Sequence, residues 1–473
     1  MPAPVILWFR RDLRLADHAA LAAALSFNAP LLPVYLHAPD EEGEWAPGAA
    51  SRWWLHHSLV ALAAELAARG SRLLILNGSS SAALLDRLIA QTGAQAVCWH
   101  RLYEPAAVAR DTQIKAALKA RSIAVHSLPG SVLHEPWSVQ TGADQPYKVF
   151  TPYWRTARGR LALPAAQAAP AQLPPLPAGE FGAVPPAALD LLPKIRWDRH
   201  FHEAWQPGSQ GAHAALALFG EAGLADYADG RNRPDLLGTS RLSAHLHFGE
   251  ITPQQIIRSL LGPAAADPSD PRWARAEPYV RELGWRDFNR QLLFHFPDTA
   301  TQPLSPAWQD FRWEHDTAQL KRWQRGQTGI PIIDAGMREL WAIGWMHNRV
   351  RMLVASFLTK HLGLHWLDGA RWFWDTLVDA DLANNSGGWQ WTAGCGADAA
   401  PYFRIFNPVT QGLKFDSGGD YVRRWVPELA HLDAKAIQQP WTVGGVRGYP
   451  APMVDLAEGR EAALARYAAF RGQ

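Results

Sequence analysis

Short apolar runs alternate with amphipathic stretches through the first 130 residues. The runs lie at 5–9, 31–35, 73–76, 96–99 and 124–128, and helical spacing appears at 16–25, 52–68, 81–91 and 106–120. Such alternation predicts a parallel, doubly wound α/β sheet, whose ligand would lie at the carboxyl ends of the strands. No Gly-x-Gly-x-x-Gly follows the first run, so the usual dinucleotide fingerprint is absent. Residues 164–193 then hold eight prolines among many alanines, which predicts an extended surface connection. From 198 onward strand signals are scarce, and helices are expected at 253–261, 275–296, 334–342, 347–361 and 371–377. The expected plan is an α/β domain over 1–130, a connection over 131–197 and a larger, mostly α-helical domain over 198–473.

Composition narrows the class. A chain of 473 residues is too long for one core. Its 48% hydrophobic and 19% charged residues suit a soluble globular protein. The apolar opening run is too short for a signal peptide or a membrane span. Two cysteines, Cys98 and Cys395, support neither a disulfide framework nor a zinc motif, so a reducing cytoplasm is the expected compartment. The net charge of +2 excludes a protein that coats nucleic acid, and any DNA-binding charge must gather on one face. The 23 tryptophans are the exceptional number: many will be core, and the rest invite roles in stacking or electron transfer.

Four segments carry candidate chemistry. Thr239-Ser240-Arg241-Leu242-Ser243, after Gly238, offers backbone N–H groups and hydroxyls at a helix start, where a phosphate can bind. Glu282, Trp285 and Arg286 share a helix face, so a carboxylate and an indole could line one cavity. Trp345, Asn348 and Met352 have the spacing of one face, with His347 and Arg351 on a neighbouring one. Asp379, Asp381 and Asn385 form a polar run without lysine or arginine beside it, and two close acids need a metal, an arginine or a donor-rich ligand. A metal is the weaker alternative, because no histidine or third carboxylate completes a metal motif.

Taken in order, these segments resemble the DNA photolyase and cryptochrome family over nearly the whole chain. Trp8-Phe9-Arg10-Arg11-Asp12-Leu13-Arg14 resembles the family's opening, and Arg404-Ile405-Phe406-Asn407-Pro408, within 399–408, a later family segment. Pro47-Gly48-Ala49-Ala50-Ser51-Arg52-Trp53-Trp54-Leu55 is similar to the class III group close to plant cryptochromes. The resemblance implies that the helical domain binds FAD through Tyr227, Thr239, Ser240, Leu242, Ser243, Arg286, Arg351, Asp379, Asp381 and Asn385, with Asn385 a neutral donor near a flavin ring nitrogen. It implies light-driven splitting of cyclobutane pyrimidine dimers in a pocket of Glu282, Trp285, Asn348, Met352 and Trp391. Such enzymes flip the dimer out of the duplex, as the family is known to do. Arg231, Arg349 and Arg404 would contact DNA phosphates, and Trp389, Trp366 and Trp313 would photoreduce oxidised flavin. An antenna, methenyltetrahydrofolate in preference to a deazaflavin, is also implied. The folate-binding Asn-Glu pair of one subgroup is missing after Tyr103-Glu104. The expected protein is a cytoplasmic monomer, nucleoid-associated when on damaged DNA, with no metal and no membrane partner. Enzymes for (6-4) photoproducts place histidines where Asn348 and Met352 stand, and many cryptochromes alter the positions of Trp285 or Trp391. A blue-light photoreceptor is therefore the second expectation.

Overall fold

The computed structural model describes residues 2–267, 269–399 and 403–472. Five parallel strands, β1 (Val5–Phe9), β2 (Leu31–His37), β3 (Leu74–Asn77), β4 (Ala96–His100) and β5 (Ala124–Leu128), form one sheet in the order β3-β2-β1-β4-β5. The helices between them are α1 (Ala19–Leu25), α2 (Ala49–Ala67), α3 (Ser81–Thr92) and α4 (Pro105–Ala120). Every β1 side chain is buried, because both sheet faces are covered. Ile6 and Trp8 pack with Val34, Leu85 and Trp99 on one side. Val5, Leu7 and Phe9 join Trp53 and Trp54 of α2 on the other, in a core that continues into Phe248, Trp345 and Val378 of the helical domain.

The sheet order reverses at β1, and the chain leaving it carries a closed polar clamp. Asp12 Oδ1 accepts from the Arg10 backbone N–H (2.6 Å), and Oδ2 lies 2.7 Å from His100 Nδ1 and 3.1 Å from His18 Nε2. The other ring nitrogens accept backbone N–H groups of α1: His18 Nδ1 from Leu21 (2.9 Å) and His100 Nε2 from Ala20 (3.3 Å). This trio has the spacing of metal ligands. His100, however, turns a ring proton to the carboxylate, and both rings give a lone pair to the helix, so in the neutral rings none is left for an ion.

Three contacts press the sheet domain onto the helical one. The Ala49 N–H donates to Asp375 Oδ1 (2.9 Å), and Trp374 Nε1 donates to the Ala46 carbonyl (2.8 Å). Ser51 Oγ donates to the Leu377 carbonyl (3.3 Å), four residues before Asp381. Gly249, at φ 65°, lies so close to the Arg11 carbonyl that a Cβ would overlap it. Within 131–197 the helix Phe150–Gly159 buries Phe150, Tyr153 and Trp154. Further on, the Val184 N–H donates to the Ile75 carbonyl (2.9 Å), so the Pro-rich stretch covers the edge strand β3.

The second domain is helical, its longest helix being Arg272–His295. The helix expected over 347–361 divides into Asn348–Ser356 and a π-helical turn, Phe357–His361. Trp366–Thr376 begins earlier than expected, and Leu382–Ala393 forms where no helix was expected. No described helix is long and apolar enough to cross a membrane.

The clamp makes stability pH-dependent. Burial, then the neighbouring His18, pushes His100 down to about 3, against an ordinary 6.5. Its contribution is complete above pH 6.5 and is lost as pH falls toward 3, because the unfolded chain takes up a proton that the folded one refuses. The expected result is a melting temperature that falls from pH 6.5 to pH 4, on the order of a few kcal/mol of stability. Circular-dichroism melts at four pH values check this, and a flat profile contradicts it.

Candidate functional site

A cavity of about 770 Å³ opens in the helical domain. Gly238 brings two walls together: a Cβ there would overlap the Gly230 carbonyl, so the turn before Thr239 lies directly on the segment holding Tyr227 and Arg231. Tyr227, Thr239, Ser240, Leu242 and Ser243 line this side. Ser240 Oγ accepts from the Tyr279 hydroxyl (2.9 Å). The helix after it, Ser243–His247, is only five residues long and has no side-chain cap, so its first N–H groups face no internal acceptor.

The polar floor is built on one helix start. Asp381 is the N-cap of Leu382–Ala393: its Oδ1 accepts from Asn384 N (3.0 Å) and Asn384 Nδ2 (2.7 Å). Its Oδ2 accepts from Arg290 (2.9 Å), which also donates to the Ser131 carbonyl (3.0 Å). Burial would raise the Asp381 carboxyl, but Arg290, His247 and Arg286 hold it well below the usual range. Asp379 accepts two hydrogen bonds from Arg351, at 2.8 and 3.1 Å. Asn385 Nδ2 donates to the Ala370 carbonyl (2.9 Å). One of its two N–H donors is thus committed to the helix beside it, which leaves the other and Oδ1 for the cavity. Arg286 is pinned on the Ser131 (2.5 Å) and Leu246 (2.9 Å) carbonyls, and burial pushes it down to about 9.

The opposite wall carries the stacking groups. Trp285 lies flat on Phe150, with ring centres 3.8 Å apart and planes 10° apart. Glu282 accepts from Arg231 (2.7 Å), and burial raises its carboxyl although Arg231 pulls it down. Arg231, expected at DNA phosphates, is therefore also the partner of Glu282. Asn348 begins its helix and Met352 lies one turn on, both on the cavity wall. Trp345 reaches the cavity from the turn before, because His347 is the N-cap and the helix starts after it. Exposed Arg404 holds its guanidinium 5.3 Å from the centre of the Trp391 ring. Of the segment leading to Arg404, Ala400, Pro401 and Tyr402 lie outside the described residues.

All expected cofactor and dimer residues line this one cavity, with Arg231, Arg404 and Trp389; Arg349, Trp366 and Trp313 do not. The Arg349 guanidinium donates to Asn232 and lies 4.5 Å from the Phe415 ring centre. Buried Trp389 presses on Gly369, where a Cβ would overlap its ring, one turn along the helix from Trp366. His365 lies between the other two indoles, 5.8 Å from Trp366 and 5.2 Å from half-buried Trp313 by ring centres.

Three lining or supporting residues escaped the sequence reading, and a fourth, Arg241, was read only as part of its segment. Arg290 is the main cation of Asp381, and Asn289 Nδ2 donates to Asn384 Oδ1 (2.9 Å). Arg241 stacks on Trp345 (4.8 Å) and makes no hydrogen bond to protein among the described residues, so its donors are free for an anion. Buried His247 lines this cavity and both smaller ones, its Nδ1 3.5 Å from Asp381. Of the three that escaped, only Arg290 had a signal: it is one turn past Arg286 on the same helix. This donor set fits a ligand with both ring N–H groups and phosphates, and the volume suits a cofactor-sized molecule.

The FAD-binding-domain model of DNA photolyase matches residues 279–469, and the DNA photolyase model matches 5–175. The chain is 44% identical over 480 residues to a deoxyribodipyrimidine photo-lyase of Agrobacterium fabrum, covering 99% of this chain and 98% of that protein. It is 38% identical to Cryptochrome-2 of Arabidopsis thaliana, covering 98% of this chain and 78% of that protein. It superposes on a bacterial class III photolyase from Agrobacterium tumefaciens with a TM-score of 0.93 at 43% identity, covering 100% and 98% of the two chains.

Removing Arg290 would leave Asp381 buried without its main cation. Arg290→Met is expected to cost about 3–5 kcal/mol, and adding Asp381→Asn should recover part of it. Thermal denaturation of both variants tests the pairing, and equal stability of Arg290→Met and the parent excludes it.

Proposed function

We propose that this chain, which belongs to the DNA photolyase family, repairs cyclobutane pyrimidine dimers in DNA under light. The observation that carries this reading is one cavity in which Glu282, Trp285, Asn348, Met352 and Trp391 face the polar floor of Asp379, Asp381 and Asn385. FAD bound on that floor supplies the light absorption and the single electron, which returns after the dimer splits, so no net redox change results.

The chain's own residues bind, orient and exclude water. Asp379, paired with Arg351, and Asp381, held ionised by Arg290, accept N–H and hydroxyl donors of the cofactor. Arg241 and the N–H groups that follow Leu242 meet its phosphates. Phe150 backs one face of Trp285 and leaves the other for a pyrimidine ring, with Trp391 as the second stacking surface. Glu282, fixed by Arg231, and Asn348 are hydrogen-bond partners for the pyrimidine edges, and Met352 fills the space beside them. Arg404 and Arg349 meet the DNA backbone, which positions without reading sequence. Trp389, Trp366 and half-buried Trp313 lead from the cavity outward and are assigned to flavin photoreduction.

A second cavity of about 80 Å³ lies at the carboxyl ends of the strands, lined by Trp8, Arg10, Tyr35, Glu42, Arg110 and Trp374. It is the place we assign to an antenna, methenyltetrahydrofolate before a deazaflavin. It is smaller than the roughly 300 Å³ of ordinary ligand pockets, so it must widen to admit the whole chromophore. We assign the active form to a cytoplasmic monomer that joins the nucleoid on damaged DNA. The likeness to plant cryptochromes favours a blue-light photoreceptor as the second reading. Illumination of the flavin-reduced protein with a thymine-dimer oligonucleotide decides: restored thymines support repair, and intact dimers leave the photoreceptor.

Two substitutions test the residue roles. Glu282→Ala is expected to lower repair about tenfold or more while flavin stays bound, consistent with loss of a charge-assisted hydrogen bond of about 1.5–3 kcal/mol; undiminished repair removes Glu282 from the dimer side. Trp389→Phe should block photoreduction of oxidised flavin yet spare repair after chemical reduction, as followed by absorption spectra. Photoreduction at the parent rate excludes Trp389 as first donor.

A further inference from the structure

Lys360 is 1% exposed, in the π-helical turn Phe357–His361, and nothing in the mechanism above uses it. Its ammonium donates to the carbonyl of Ala393, the last residue of Leu382–Ala393, where a cation meets the negative end of the helix dipole. The same nitrogen lies 3.6 Å from the centre of the Phe403 ring and 5.8 Å from that of Trp308. Phe403 in turn stacks on Tyr467 at 4.3 Å and 9°, and Arg466 donates to the Lys360 carbonyl (2.7 Å). Between Ala393 and Phe403 the chain contributes Gly396, Ala397 and Asp398 to the cavity wall, and Arg404 follows at once. A buried lysine with one carbonyl acceptor among the described residues is a costly way to fill space that an aliphatic chain would fill better.

We propose that Lys360 is a positioning residue whose ammonium holds the Ala393 carbonyl and the Phe403 ring, and so places the cavity-wall residues Gly396, Ala397, Asp398 and Arg404 near them and sets the preference for dimer-containing over undamaged DNA. This rests on the reading of the cavity as a dimer site. Burial pulls Lys360 down to about 7. The groups facing it are Cys395, whose thiol burial holds at about 12, Arg466 with Glu314 at 4.0 Å, and adjacent buried His361. Lys360 is charged below neutral pH and loses its charge as pH rises through about 7.

The test compares FAD-loaded wild type with Lys360→Met, using dimer-containing and undamaged duplexes from pH 6 to pH 8 at constant ionic strength. In the wild type the ratio of the two affinities should fall as pH rises. In Lys360→Met it should be about tenfold lower at pH 6 and independent of pH, the loss of a desolvated cation–π contact. Flavin content and repair per bound dimer should not change. A folded Lys360→Met protein with the wild-type ratio and pH profile overturns the proposal. Should that variant fail to fold, a wild-type ratio constant across the pH range overturns it equally, and a falling ratio retained at pH 8 by Lys360→Arg, whose cation persists, supports it. Absence of any dimer preference in the wild type at every pH instead defeats the reading of the cavity.

Discussion

A carboxylate taken out of water must be met on every side, and Asp381 is where this molecule solves that problem. Its two oxygens start the helix that carries Trp389 and Trp391, hold Arg290, and face His247. Arg290 and Arg286 both donate to the Ser131 carbonyl, so the segment leaving the sheet domain is bound by the same group of charges. Moving Asp381 would unsettle a helix cap, an ion pair and the domain connection together. Such a group is weak evidence for stability in itself, since an apolar replacement packs as well or better. In this arrangement of the cavity floor the Asp381 and Asp379 carboxylates are both met by arginines.

The sheet could be read from the chain because its central strands β1 and β4 are short runs buried on both faces and every strand is set off by a helix, although the edge strand β5 is only partly buried and carries His126 and Ser127. The cavity could be read because its donors and acceptors fall in local clusters such as 239–243 and 379–385. What escaped did so for physical reasons. Leu382–Ala393 contains Asn-Asn-Ser-Gly-Gly, a poor helix former, and stands because Asp381 caps it and Trp389 is wedged against Gly369. His18, His347 and His365 cap helices by accepting backbone N–H groups through Nδ1, a role that the familiar Ser, Thr, Asp and Asn signals do not announce. Phe150 lies far from Trp285 in sequence, and no spacing rule joins them.

The close approach of the domains gives the cavity its rigidity from outside. Glu250, fully buried, accepts from Trp54 Nε1 (3.0 Å) and the Gly208 N–H (2.8 Å) and pairs with His245, so three segments converge on one carboxylate. With the Ser51 bond to Leu377, this places the sheet domain as a buttress behind the chain that runs into Asp379 and Asp381. The two domains share a core through Val5, Leu7 and Phe9, which a loosely tethered accessory module would not.

The strip of chain that donates from Val184 to Ile75 has a consequence for how the molecule is made. The sheet is composed by residue 128, yet its β3 margin stays bare until a stretch much further along has been synthesised. During that interval the ribosome presents an almost finished domain with an open row of amide and carbonyl groups, the state in which nascent β-structure recruits a neighbour. The prolines of the strip suit it to this duty: they keep it extended, ready to lie down as a cover, and unfit to add a further strand of its own.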